Sequence, residues 1–131
     1  MDIYLPPNFH RQSSKEGLTD EDLKTAIRKA EKGLIDADLG GRLIKQRIPR
    51  TGQGAARGLR AVFFYKRGEV AVGLHCFPKS SKGNLSRGEL EAYLKLARSL
   101  DDLTEEQLAK LSAERRWKVL NLNDPEEALQ E

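Results

Sequence analysis

The chain has 131 residues, which suits one domain with its own core and no need of disulfides or a structural metal. Hydrophobic residues make up 38% and charged residues 33%, the balance of a folded, charge-rich surface and not of a disordered chain. The single cysteine, Cys76, excludes an intrachain disulfide and a paired-cysteine zinc site, and no apolar run approaches the ~18 residues of a membrane span.

In chain order, the N-terminus lacks the basic segment and apolar run of a signal peptide, so the cytoplasm is the expected location and no membrane contact is expected. A short helix is expected from Asn8 to Glu16, stopping at Gly17. Thr19 and Asp22 then form a capping box, with Leu18 and Leu23 placed as a hydrophobic staple. Leu23, Ala26, Ile27, Ala30 and Leu34 recur at helical spacing, and Gly33 is a stop signal. A strand is expected over Leu43–Ile48, with Lys45 and Arg47 on one face. A second runs from Gly58 to Lys66, where Arg60 shares a face with Val62, Phe64 and Lys66. Residues 66–69 read as a hairpin turn into a third strand, Val70–Phe77. Strict alternation points Val70, Val72, Leu74 and Cys76 to the core, and Ala71, Gly73, His75 and Phe77 the other way.

Ser86 with Glu89, and Thr104 with Gln107, start two more helices, the first with a stripe of Leu90, Tyr93, Leu94 and Ala97. A last strand is expected within Trp117–Leu122. Residues 1–122 thus read as one α+β domain: a small antiparallel sheet with N-terminal helices on one face and one or two helices before a final strand. Residues 123–131 read as a loose acidic tail. With the helices gathered on one face, the other face is expected to be helix-free.

Charge is distributed unevenly. Between Arg42 and Arg87 stand Arg42, Lys45, Arg47, Arg50, Arg57, Arg60, Lys66, Arg67, Lys79, Lys82 and Arg87, against the single acid Glu69. A solvated charged surface is the plain alternative, but a basic sheet face is a platform for one nucleic-acid strand. The loop Arg50–Gly58 spaces its glycines Gly-x-Gly-x-x-x-Gly, without the Lys-Ser/Thr or the following helix of a nucleotide-binding loop. It reads as a hairpin connection whose amides and two arginines, Arg50 and Arg57, are suited to hold an RNA phosphate. No carboxylate pair falls in the basic segment, so neither a two-metal nuclease nor any cofactor is expected. Cys76 reads as an inert core thiol. His75 reads either as a half-buried ring beside Phe77 or as a proton carrier, and surrounding cations would favour its neutral form and a role as a base. His10 has no evident role.

The stretch Gly33-Leu-Ile-Asp-Ala-Asp-Leu-Gly-Gly-Arg-Leu-Ile-Lys-Gln-Arg-Ile48 resembles one shared by a branch of the RelE/HigB-like toxins. That branch reads Gly-Leu-x-Asp-Ala-x-Leu-Gly-Gly, then a Lys-x-Arg strand. A Gly-x-Gly loop ending Gly-Tyr-Arg follows, here Gly58-Leu59-Arg60, and a strand ending Gly-Phe-Ala-Lys-Asn, here Cys76-Phe77-Pro78-Lys79-Ser80. Asn84-Leu85 and the next helix also match, so the similarity covers roughly residues 9–120. It implies a RelE-like fold and a type II toxin–antitoxin toxin. It further implies a ribosome-dependent messenger RNA endonuclease, with an antitoxin partner often of helix-turn-helix type. By the resemblance, Arg60 stabilises the scissile phosphate and Lys79 stands at the site rim as a phosphate contact or proton donor. Lys45 and Arg47 line the same surface, His75 falls where many relatives have Tyr, and Arg50, Arg57 and Lys82 hold RNA backbone. Ala55-Ala56 replace a common Lys-Ser, Pro78 a small residue and Ser80 an Asn. A ParE-like gyrase poison and an inactive RNA-binding protein of the same fold stand as the alternatives.

Overall fold

In the computed structural model the elements are β1 (Asp2–Leu5), α1 (Pro7–Lys15), α2 (Asp20–Glu31), β2 (Ala37–Gly40), β3 (Leu43–Arg50), β4 (Gly54–Lys66), β5 (Val70–Pro78), α3 (Arg87–Asp101), α4 (Glu105–Glu114) and β6 (Lys118–Asn121). The backbone is described for residues 1–50, 54–78 and 85–123, and the side chains for 1–49, 58–78 and 85–123. The six strands form one sheet in the order β2-β3-β4-β5-β1-β6. Every pairing is antiparallel except β1 with β5. The α+β class holds, with the N-terminal helices before the meander and two helices before the final strand. No helix among the described residues is long and apolar enough to cross a membrane.

All three capping boxes form: Thr19 with Asp22, Ser86 with Glu89, and Thr104 with Gln107. Each satisfies two amides that the first helical turn leaves without partners. The chain leaves α2 at Gly33, where Gly33 N–H donates to Ala30 O and Leu34 N–H to Lys29 O, both at 2.9 Å. The β2–β3 hairpin turns through positive φ at Gly40 (84°), Gly41 (58°) and Arg42 (72°). Two consecutive glycines there are a backbone requirement, because side chains rarely adopt that region. Asp38 Oδ1 accepts from the Gly40 amide at 2.9 Å and tightens the same turn.

Helices cover both faces of the sheet. On one face α1 and α2 bury Phe9, Leu23, Ala26 and Ile27 against Ile44, Ile48, Ala61, Phe63 and Ile3. On the other, Ala97 and Leu100 of α3 and Leu108 of α4 bury Leu43, Val62, Phe64, Val72 and Tyr4. The expectation of a helix-free second face is therefore corrected. The stripe that marks α3 as amphipathic does not say which face of the sheet it meets; the strand order decides that.

A β-bulge corrects the alternation in β5. Val62 pairs with His75 but Phe63 pairs with Gly73, which leaves Leu74 as the extra residue. The pleat thereby shifts by one. Val70, Val72 and Phe77 bury on the α3 side, while Ala71 and Cys76 bury on the α1–α2 side. The bulge sits beside Gly73, where an added Cβ would lie 2.3 Å from the ring of Phe9. The backbone of β5 and the Phe9 ring of α1 touch there with no space for a side chain.

Candidate active site

The register builds two cross-strand rows on the α3 side of the sheet. Arg47 on β3 pairs with Arg60 on β4, which pairs with Phe77 on β5. One step along the pleat, Lys45 pairs with Val62, which pairs with His75. Adjacent strands lie ~4.8 Å apart, and same-face residues on one strand are ~7 Å apart, so Lys45, Arg47, Arg60 and His75 share a patch about 10 Å across. The sheet places these four expected site residues together. Leu74, the extra residue of the bulge, lets His75 join the Val62 face while the residues before it remain in register.

The strand carrying Lys45 and Arg47 is pinned from behind. Gln46, with no solvent exposure, points to the opposite face and makes three hydrogen bonds. Its Nε2 donates to Ala26 O at 3.0 Å and to Leu34 O at 3.1 Å, and its Oε1 accepts from the Asp36 amide at 2.8 Å. Asp36 answers through Oδ2, which accepts from the Arg47 amide at 2.7 Å. The Gly-Leu-Ile-Asp segment after α2 is thus a clamp on β3, fixing which residues of that strand face the patch.

The electrostatics of the patch are cationic. Arg60 is only 7% exposed, although its neighbours across and along the strands are Arg47 and Lys45. No carboxylate among the described residues forms an ion pair with it. The Lys45 ammonium is held below the usual lysine range, first by burial and then by repulsion from Arg60 and Arg47. Lys66 and Arg42, from the same basic segment, behave differently. Lys66 Nζ lies 2.7 Å and Arg42 Nε 3.6 Å from Asp101 Oδ1, so these two charges are spent on fixing α3 to the sheet. Asp101 answers with a carboxyl held below the usual range, chiefly by its hydrogen bond from Lys66.

His75 lies beneath the first turns of α3, its side chain 16% exposed. Its ring is 5.5 Å from both the Phe77 ring and the Tyr93 ring, tilted by 34° and 33°. Its Nε2 is 4.0 Å from Glu89 Oε2. Burial, then the Glu89 charge, pushes the Tyr93 hydroxyl above its ordinary pKa, so it stays protonated. Glu89 was legible in the sequence only as a cap partner, and Tyr93 only as part of a helical stripe. Lys79 and Lys82 lie outside the described residues, as do the side chains of Arg50 and Arg57. The described backbone places Arg50 opposite Gly54 where β3 meets β4, and ends at Pro78 opposite Leu59, next to Arg60. Cys76 is buried in the core as expected, but on the α1–α2 face and not on the face of Val70 and Val72 that strict alternation assigned it.

A buried guanidinium crowded by two like charges is relieved by an incoming anion. An ammonium held below its usual range by burial and like charge, with an imidazole two strands away on the same face, gives the patch two groups able to move protons. Together they suit chemistry on a phosphate ester. A family model described as the RelE toxin of the RelE / RelB toxin-antitoxin system matches residues 1–119. No curated protein matches the chain.

Proposed function

Because the chain belongs to the RelE toxin family of toxin–antitoxin systems, we propose that it is the nuclease of its module, cutting ribosome-bound messenger RNA in the cytoplasm and so blocking translation. The observation that carries this is Arg60: a guanidinium buried among like charges, with no acid among the described residues to neutralise it. A scissile phosphate supplies the missing negative charge, and supplies most of it in the transition state.

The reaction is attack of the 2′-hydroxyl on the adjacent phosphate. The 2′-oxygen loses a proton, the bond to the 5′-oxygen breaks, and that oxygen gains a proton. Arg60 stabilises the non-bridging oxygens. Lys45, whose neutral form is favoured by burial and by Arg60, takes part in proton transfer together with His75. Arg47, exposed at the edge of the patch, contacts RNA backbone. Lys79 serves at the rim, and Arg50, Arg57 and Lys82 extend the backbone contacts. The family implies a cognate antitoxin, which we expect to be of helix-turn-helix type.

The test is a purified translation system programmed with one defined messenger, with cuts mapped by primer extension. Cleavage of the messenger on ribosomes, and not of the same RNA alone, is the expected result. No cleavage together with inhibition of DNA gyrase would replace this function with that of a gyrase poison. No effect in either assay would leave an inactive RNA-binding protein.

A further inference from the structure

Glu89 sits between a helix cap and the candidate site. Its Oε1 accepts from the Ser86 backbone N–H at 2.9 Å and closes the capping box of α3. Its Oε2 lies 4.0 Å from His75 Nε2. The carboxylate is therefore fixed at one oxygen before it meets the imidazole, so little side-chain entropy opposes the second contact. The ring is held in turn between Phe77 and Tyr93.

We propose that Glu89 is a positioning residue, holding the His75 imidazole in one orientation beside the Arg60 row and stabilising its protonated form, so that His75 donates the proton to the departing 5′-oxygen. The assignment rests on the nuclease function proposed above. Among the described residues, the groups that face the ring include Glu89 and Tyr93 from α3, Phe77 on β5, Arg60 on β4 and, across Val62, Lys45 on β3. Arg60 and Lys45 disfavour the imidazolium; Glu89 is the carboxylate in this set and opposes them from 4.0 Å. Lys45 and His75 are thereby driven apart in role. Lys45 is pushed toward its neutral, proton-accepting form, and Glu89 pushes His75 toward its charged, proton-donating form. Two titratable groups with opposed environments divide acid from base work. The expectation that His75 serves as a base changes for this reason: the cations were visible in the sequence, and the carboxylate above the ring was not.

The chain contains its own control. Gln107 closes the capping box of α4 as Glu89 does that of α3, with Oε1 accepting from the Thr104 amide at 2.9 Å. Glu89→Gln should therefore keep the cap and remove only the charge. The experiment titrates the ring protons of His75 by NMR in the full chain, with His10 as internal reference, for the parent and Glu89→Gln. Thermal unfolding at a pH above the His75 titration should stay close to that of the parent, and the His75 pKa should fall by about 1 unit, the low end for losing an opposite charge at this distance. In single-turnover cleavage the limb of the pH–rate profile set by the acid should fall with it, while ribosome binding stays the same. A folded Glu89→Gln protein whose His75 titrates as in the parent would overturn the assignment, as would an acid limb that does not follow a shifted His75 pKa. A parent protein that cuts no RNA would remove the nuclease function, and the NMR comparison would still decide whether Glu89 holds the charge of the ring.

Discussion

Gln46→Leu should destabilise the domain by about 2 kcal/mol, although it replaces a buried polar side chain by an apolar one of similar volume. Gln46 has no solvent exposure and makes three hydrogen bonds, at 2.8, 3.0 and 3.1 Å. Leucine cannot replace any of them. The Ala26 carbonyl lies inside α2 and keeps its helical bond, so its loss is small. The Asp36 amide and the Leu34 carbonyl belong to the connection after the helix and lose this partner outright. At about 1–3 kcal/mol for each stranded group, reduced because water reaches this exposed connection, the loss is about 3 kcal/mol. Burying the leucine methyls returns about 1 kcal/mol. For a domain of this size the net change corresponds to a fall of about 8 °C in Tm. Thermal and urea unfolding followed by circular dichroism measure it, and hydrogen exchange at the Asp36 and Arg47 amides reports on the clamp itself. A Gln46→Leu protein within about 0.5 kcal/mol of the parent would refute the claim that this amide pins β3.

Gly73→Ala should be more damaging than its single methyl suggests, since the new Cβ would lie 2.3 Å from Phe9 Cδ1. Overpacking of this kind costs about 1–3 kcal/mol or more, read as a lowered urea midpoint; an unchanged midpoint would show that α1 shifts freely. Arg60→Met should raise the pKa of Lys45, because burial remains but the second cause of its lowering is lost. In the parent Lys45 binds its proton more weakly folded than unfolded, so its contribution to stability rises with pH from the lowered folded value up to the ordinary lysine value. NMR of the Lys45 side chain in both proteins checks the direction, and an unmoved titration would contradict the repulsion. RNA affinity should weaken with salt at a log–log slope of roughly −3 if about 4 phosphates are contacted; a flat dependence would point to a protein target.

Much of this architecture was legible in the sequence because its signals are local. Ser86 with Glu89 and Thr104 with Gln107 mark helix starts by chemistry that operates over four residues. Alternation in β3 was enough to put Lys45 and Arg47 on one face. The short strands β1 and β2 were not legible, since Asp2–Leu5 becomes a strand only by fitting between β5 and β6, far along the chain. Period-two counting also misplaced His75, putting it on a helix-free face, whereas it lies beneath α3. It set His75 opposite Val72, whereas the bulge at Leu74 puts both on the α3 side. Gly73 was the available sign of that irregularity. Glu89 beside His75 had no local signal, because strand and helix meet there through tertiary packing.

The central claim is that Arg60 stabilises charge on a phosphate undergoing transfer. The most direct measurement is the single-turnover rate of messenger cleavage on purified ribosomes for Arg60→Ala against the parent, with ribosome binding and thermal unfolding measured on the same preparations. The account predicts a rate lower by ~10²-fold or more, the scale of a lost charge-stabilising donor, in a protein that still folds and binds. A folded Arg60→Ala protein that cleaves at the parent rate would contradict it.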